Sequence, residues 1–319
     1  VTRPTHDWKR YTETYEMTVQ KRIASYDGRK TLSDRIQSRI ARLKFQFLPH
    51  YAAAPPRWRL WMRRSFGGER TLPDFACQGV IKSGTSDLCA YLFQHPCILP
   101  PLSKEISSLN PKEWRPYYPT VREKEQVEKE YGKALSGFFL PAMNNLTLMD
   151  NYRAAKPDAK IILVLRNPVD RAYSQYKWDL FVHGKRLANF PYMKTFSAYI
   201  DTALNFFPQM PMPAFFVKVP LLQTGIYAKA VELWIERFGR ENVYILKAED
   251  FFQDIPSTMC DIHQFLDIPP IKPEIHPIVN QNPIKPPPFE KETRSKLVEF
   301  YRPWNEKLYA VIGRDMEWE

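Results

Sequence analysis

Phe75-Ala76-Cys77-Gln78-Gly79-Val80-Ile81-Lys82-Ser83-Gly84-Thr85-Ser86 passes from an apolar run into a polar turn, and a helical pattern carrying Leu88, Leu92 and Phe93 follows. The apolar run over 75–81 predicts a short buried strand, and His95-Pro96 predicts where the helix stops. A helix that starts straight after a strand presents its first N–H groups and its positive dipole end at the sheet edge, which is an anion site. Gly84 lets backbone approach a phosphate, Thr85 and Ser86 offer hydroxyls, and Lys82 adds a charge at the mouth. The lysine precedes the glycine, whereas in the GxxxxGK[ST] loop of ATP-binding proteins it follows. That order favours a phosphate donor handled without a metal.

Beyond this unit the alternation continues. Residues 161–165 and 243–246 read as further buried strands. Pro168 starts a helix in a tolerated position. Val231, Trp234, Ile235 and Phe238 mark another helix closed by Gly239, Met259, Ile262 and Leu266 mark one more, and 290–312 reads as the last. Strands alternating with helices predict an α/β fold, a central parallel sheet with helices on both faces. Residues 283–288 are proline-rich and predict a stiff loop.

The first 72 residues differ. Ser33 heads a pattern of Ile36, Ile40, Leu43 and Phe47 at helical spacing, so a basic, partly helical N-terminal extension (1–72) is expected before a domain at 73–319. That helix is expected to pack its apolar stripe on the main domain, with Arg35, Arg39, Arg42 and Lys44 largely off the stripe. More arginines follow at 57, 59, 63, 64 and 70. With 46 Lys+Arg against 35 Asp+Glu the chain carries +11, which favours anionic partners without choosing among them. Four cysteines without a CxxC pair argue against structural zinc and leave two disulfides or free thiols open. No apolar run reaches the roughly 18 residues that span a bilayer. A chain that starts at Val1 is either soluble from the outset or has lost a leader or membrane anchor.

A second anion site is read from Leu165-Arg166-Asn167-Pro168-Val169-Asp170-Arg171-Ala172-Tyr173-Ser174-Gln175-Tyr176. Arg166 ends a strand, where α/β folds place ligands, and Ser174 lies about two helical turns on. With both segments in view, the sequence resembles the sulfotransferases that use 3′-phosphoadenosine 5′-phosphosulfate (PAPS), and within them the heparan 3-O-sulfotransferase and N-acetylgalactosamine 4-sulfate 6-O-sulfotransferase type. Lys82–Ser86 matches that family's 5′-phosphosulfate loop, and 165–176 matches its 3′-phosphate segment nearly letter for letter. Further matches are Gly225-Ile226-Tyr227-Ala228 with Trp234, Leu246-Lys247-Ala248-Glu249-Asp250-Phe251, and Phe300-Tyr301-Arg302-Pro303-Trp304-Asn305.

The resemblance implies a P-loop-like sheet and a transfer of the sulfuryl group from PAPS to an acceptor hydroxyl, leaving PAP, with no metal. It places Lys82 on the bridging oxygen, Ser83, Gly84, Thr85 and Ser86 on the 5′-phosphate, and Arg166 and Ser174 on the 3′-phosphate. The late nucleotide-covering loop falls at Asn282-Pro283-Ile284-Lys285-Pro286, which leaves Lys285 for the nucleotide. Glu105, beside Lys104, falls at the general base, and His183 is the rival. The implied acceptor is an anionic glycan of glycosaminoglycan type. A small hydroxylated metabolite, or polyanion capture without catalysis, is the alternative, and nucleic acid is not expected. The implied location is the Golgi lumen, with a membrane contact only through a removed anchor, or the cytoplasm for a complete chain. Asn145-Leu146-Thr147 is a glycosylation sequon, expected to be buried rather than modified.

Overall fold

The computed structural model describes Ile36, Ile40 and residues 55–106, 108–187, 190–208, 220–279, 282 and 289–318, without the side chains of 183–187. Four parallel strands form its centre: β1 (Phe75–Gly79), β2 (Gly137–Leu140), β3 (Lys160–Leu165) and β4 (Val243–Lys247). Their order is β2-β1-β3-β4. From β1 the chain reaches β2 on one side, then crosses to β3 on the other. The reversal leaves a crevice beyond the carboxyl ends of β1 and β3, the place where open α/β sheets hold ligands.

Period-two alternation in the strands builds two apolar layers. Ala76, Phe138, Ile161 and Leu163 face one way, onto α4 (Leu146–Ala155), α7 (Ala228–Phe238) and the end of α10 (Lys291–Ile312). Phe75, Cys77, Ile162 and Val164 face the other way, onto α2 (Thr85–Leu92), α8 (Ala248–Gln253) and α9 (Ile255–Phe265). The expected helices on both faces are therefore present. A third cluster joins α5 (Pro168–Leu187), α6 (Phe196–Phe206) and α10. The described residues also form α1 (Arg57–Ser65) and α3 (Val121–Tyr131), the latter opened by a capping box at Thr120 and Glu123.

Several expectations change in detail. The first strand ends at Gly79 rather than at residue 81, because the chain turns there and Ser83 N donates to Val80 O at 3.2 Å. The short edge strand β2 was not foreseen. Ile36 and Ile40 are helical, but at 50% and 48% exposure they do not form a stripe buried on the main domain. Ser33, Leu43 and Phe47 lie outside the described residues. The sequon is not buried: Asn145 is half-buried and Leu146 and Thr147 are exposed, since Asn145 caps α4 by accepting from Leu148 N at 2.9 Å. Cys77, Cys89, Cys97 and Cys260 are free thiols, and burial pushes the Cys77 thiol up to about 12.

Candidate active site

The crevice begins at Gly79. A Cβ there would sit 2.6 Å from Ser83 Oγ and 3.0 Å from Val164 O, so only glycine lets β1, β3 and the turn close together. Two residues in the turn take positive φ, Lys82 at 70° and Gly84 at 104°. For a lysine this costs about 1–3 kcal/mol, a strain found where surrounding structure fixes a functional side chain. Gly84 is the residue before α2, and α2 therefore opens with its N–H groups aimed at the crevice.

The loop's side chains divide the labour. Ser83 is fully buried and its hydroxyl donates to Val80 O at 2.8 Å, so it shapes the turn and leaves backbone to meet an anion. Thr85 is buried and Ser86 half-buried. The ammonium of Lys82 lies 4.3 Å from the centre of the Trp178 ring. Burial, reinforced by Arg166, brings that ammonium down to about 8, against the pull of Asp87 and Asp179.

Arg166 meets this turn from β3. Gly79 pairs with Val164, which places Arg166 just past the strand end, and its Nη1 donates to Lys82 O at 3.0 Å. One hydrogen bond thus ties together the two segments that the sequence singled out. Residues far along the chain clamp the strand end. Tyr227 OH donates to Arg166 O at 2.9 Å, and Asn167 N donates to Glu249 Oε1 at 2.8 Å. Trp318 Nε1 donates to the other Glu249 oxygen at 3.3 Å. Asn167 Oδ1 in turn accepts from Val169 N at 2.9 Å and starts α5. Tyr227 and Glu249 were legible in the sequence as matches without a task; here Tyr227 holds the Arg166 carbonyl and Glu249 the Asn167 amide. Ser174 is half-buried on α5, two turns beyond.

The loop at 101–106 meets the start of α2. Lys104 is almost wholly buried; its Nζ donates to Ser86 Oγ at 3.3 Å and pairs with Glu105 Oε1 at 3.0 Å. The structure therefore brings Glu105 to the first turn of α2, beside the loop that holds Lys82. Its own side chain is about half exposed, at 48%. The rival base cannot be placed in the same way, because the side chain of His183 lies outside the described residues, as does all of Lys285.

Three groups here escaped sequence reasoning. Asp87, in the first turn of α2, is buried and accepts from Val279 N at 2.6 Å, which docks the chain at Val279. Burial raises its carboxyl to about 7. Trp178 supplies the ring under Lys82. Asp179 is buried on the inner side of α5; burial raises it to about 7, while Arg171, a hydrogen bond from Gln175 and Lys82 hold it down. Arg171, fully buried, donates from Nη1 to Gln175 Oε1 at 2.6 Å, so positions 171, 175 and 179 form a buried polar ladder. Their i, i+4 spacing was the available signal. Among the described residues no cluster of His, Cys, Asp or Glu is arranged to hold a metal ion.

Comparison with known proteins follows the same outline. The model of a family described as the sulfotransferase domain matches residues 72–297. The chain is 24% identical over 325 residues to the membrane-associated sulfotransferase kil1 of Dictyostelium discoideum, across 78% of this chain and 67% of that one. It is 24% identical over 193 residues to human heparan sulfate glucosamine 3-O-sulfotransferase 3B1 (Homo sapiens), across 52% of this chain and 45% of that enzyme. The match thus spans less than half of the human relative. The crystal structure of a sulfotransferase from Alicyclobacillus acidocaldarius superposes with a TM-score of 0.55 at 26% identity, covering 77% of this chain and 98% of that one.

Proposed function

We infer the reaction from one premise: this chain belongs to the sulfotransferase domain family. It is an enzyme that moves a sulfuryl group from PAPS to an acceptor hydroxyl. The observation that carries this reading is the bond from Arg166 to the carbonyl of Lys82 at the switch point of the sheet, which joins two anion sites in one crevice.

In the proposed step the acceptor oxygen attacks sulfur in line, the bond from sulfur to the bridging oxygen breaks, and PAP leaves with that oxygen. Sulfuryl transfer proceeds through a loose transition state, so positioning and charge carry the catalysis. Lys82 meets the charge growing on the bridging oxygen. The backbone of Ser83 and Gly84, with Thr85 and Ser86, holds the 5′-phosphate, and Arg166 and Ser174 hold the 3′-phosphate. Glu105 takes the acceptor proton, and Lys104 fixes its orientation from the buried side. The resemblance leaves Lys285 as a further contact to the nucleotide.

The heparan sulfate relative and the net charge of +11 support an anionic glycan as acceptor. The same resemblance supports a Golgi-lumen location. No helix among the described residues is long and apolar enough to cross a membrane. The donor assignment is tested by thermal melting with PAP in chelator. PAP at about 100 times its dissociation constant should add about 2.7 kcal/mol. A shift that needs Mg²⁺, or appears with ATP and not PAP, overturns it. Radiolabelled PAPS incubated with heparan, chondroitin and small phenols then identifies the acceptor: label on a phenol alone displaces the glycan, and label on none favours polyanion capture.

A further inference from the structure

Helix α1 contributes no buried residue to any core, yet it is fixed firmly to the body. Arg63 reaches inward, with Nε donating to Pro116 O at 2.5 Å and Nη2 to Tyr118 O at 2.8 Å. Arg70 joins it on Tyr118 O at 2.8 Å and also donates to Arg63 O at 3.1 Å. A helix held by charge-assisted bonds on one side has its other side set by geometry. At about 100° per residue, Trp58, Trp61 and Met62 fall within a single arc of roughly 100°. They are 43%, 60% and 47% exposed. Phe66, 75% exposed, extends the patch just past the helix, its ring edge-on to Trp61 at 5.5 Å. Arg57 and Arg64 fall together along one border and are exposed.

We propose that this face seats the protein on the surface of an anionic phospholipid bilayer. Aromatic rings at the centre with arginines at the border are the chemistry of an interfacial helix, in which rings enter the headgroup region and guanidinium groups meet lipid phosphates. The composition argues against two other occupants. The helix RWRLWMRRS offers no carboxylate or amide to bond the hydroxyls of an uncharged sugar chain. A second copy of this face would set arginine borders of like charge together. The proposal is independent of the reaction assigned above.

Flotation of the full chain with phosphatidylcholine vesicles, with and without phosphatidylserine, tests it. The protein should float with the phosphatidylserine vesicles, and brominated acyl chains should quench its tryptophan fluorescence. Trp61→Ser/Phe66→Ser should weaken binding roughly tenfold, because two exposed rings lose their burial in lipid. Arg57→Glu/Arg64→Glu should abolish the preference for phosphatidylserine. Both double variants should melt like the parent, since none of the four side chains is buried. A parent protein that stays unbound overturns the proposal, as does Trp61→Ser/Phe66→Ser floating unchanged. Loss of heparin retention or of self-association in that variant, without any vesicle binding by the parent, reassigns the face to a polysaccharide or to a second copy.

Discussion

Two parts of the crevice are built on different plans. One part is mostly backbone: a strand that ends at Gly79, a turn held by Ser83 to Val80 O, and a helix whose first N–H groups open on the crevice. The rest is assembled from side chains brought from separate places, with Lys104 and Glu105 from a loop against Ser86, and Trp178 from α5 beneath Lys82. A backbone site is specified by a few contiguous residues, because turn geometry and helix start are local properties. A side-chain site needs the fold to be complete before its members meet. Under the proposed reaction the backbone part should accordingly tolerate changes to its hydroxyls and fail on changes to its charges, whereas the side-chain part should fail abruptly at one carboxylate.

The strongest way to break this contrast is Glu105→Gln. Turnover at saturating PAPS should fall by about 10²–10⁴, the usual value of a positioned base, with PAP affinity retained. His183→Ala should be much milder. A Glu105→Gln enzyme within about threefold of the parent, beside an inactive His183→Ala, transfers the base to His183.

Lys82→Ala comes next, with turnover lowered about 10²–10³ by loss of a donor to the leaving oxygen and a smaller change in PAP affinity. The sign of its pH dependence follows from burial. Because the ammonium is brought down to about 8, the protonated form is lost as pH rises through that value, so kcat/KM should decline from about pH 8 rather than above pH 10. A profile flat to pH 10 would remove Lys82 from the role.

Arg166→Ala should leave the chemistry intact at saturating donor and weaken PAP by about 1.5–3 kcal/mol in calorimetry, roughly 10- to 150-fold. Unchanged affinity would show the 3′-phosphate to be held elsewhere. The smallest effect sharpens the comparison from the side-chain part. Asp179 lifts the Lys82 ammonium against burial, so Asp179→Asn should move the alkaline limb to lower pH while the maximal rate changes only a few-fold. A limb that stays in place would mean that Asp179 does not act on Lys82.

These parts also differ in how far they could be read from the chain. Lys82, Gly84 and Arg166 stand in segments where strand, turn and helix follow at once, and the two segments meet because β1 and β3 are neighbours. Tyr227 and Glu249 were visible as matches, yet their hydrogen bonds to Arg166 and Asn167 cross 61 and 82 positions of sequence, so no local pattern reveals the task. Trp178 and Asp179 looked like any amphipathic helix until α5 was laid against the turn. Asn145 went the other way: the expectation of burial missed that a helix cap keeps a residue at the surface.

The bond between Arg166 and the carbonyl of Lys82 also bears on how a bisphosphorylated nucleotide is recognised. Under the proposed binding mode, a guanidinium that meets one end of the nucleotide while holding the turn that receives the other end would make the two grips a chelate. Their free energies then do not simply add, since filling one half prepares the other. Adenosine carrying a single phosphate, at either position, should give up more affinity than half the total. On that reading, discrimination against the abundant monophosphates would arise from the hydrogen bond between Arg166 and a backbone carbonyl.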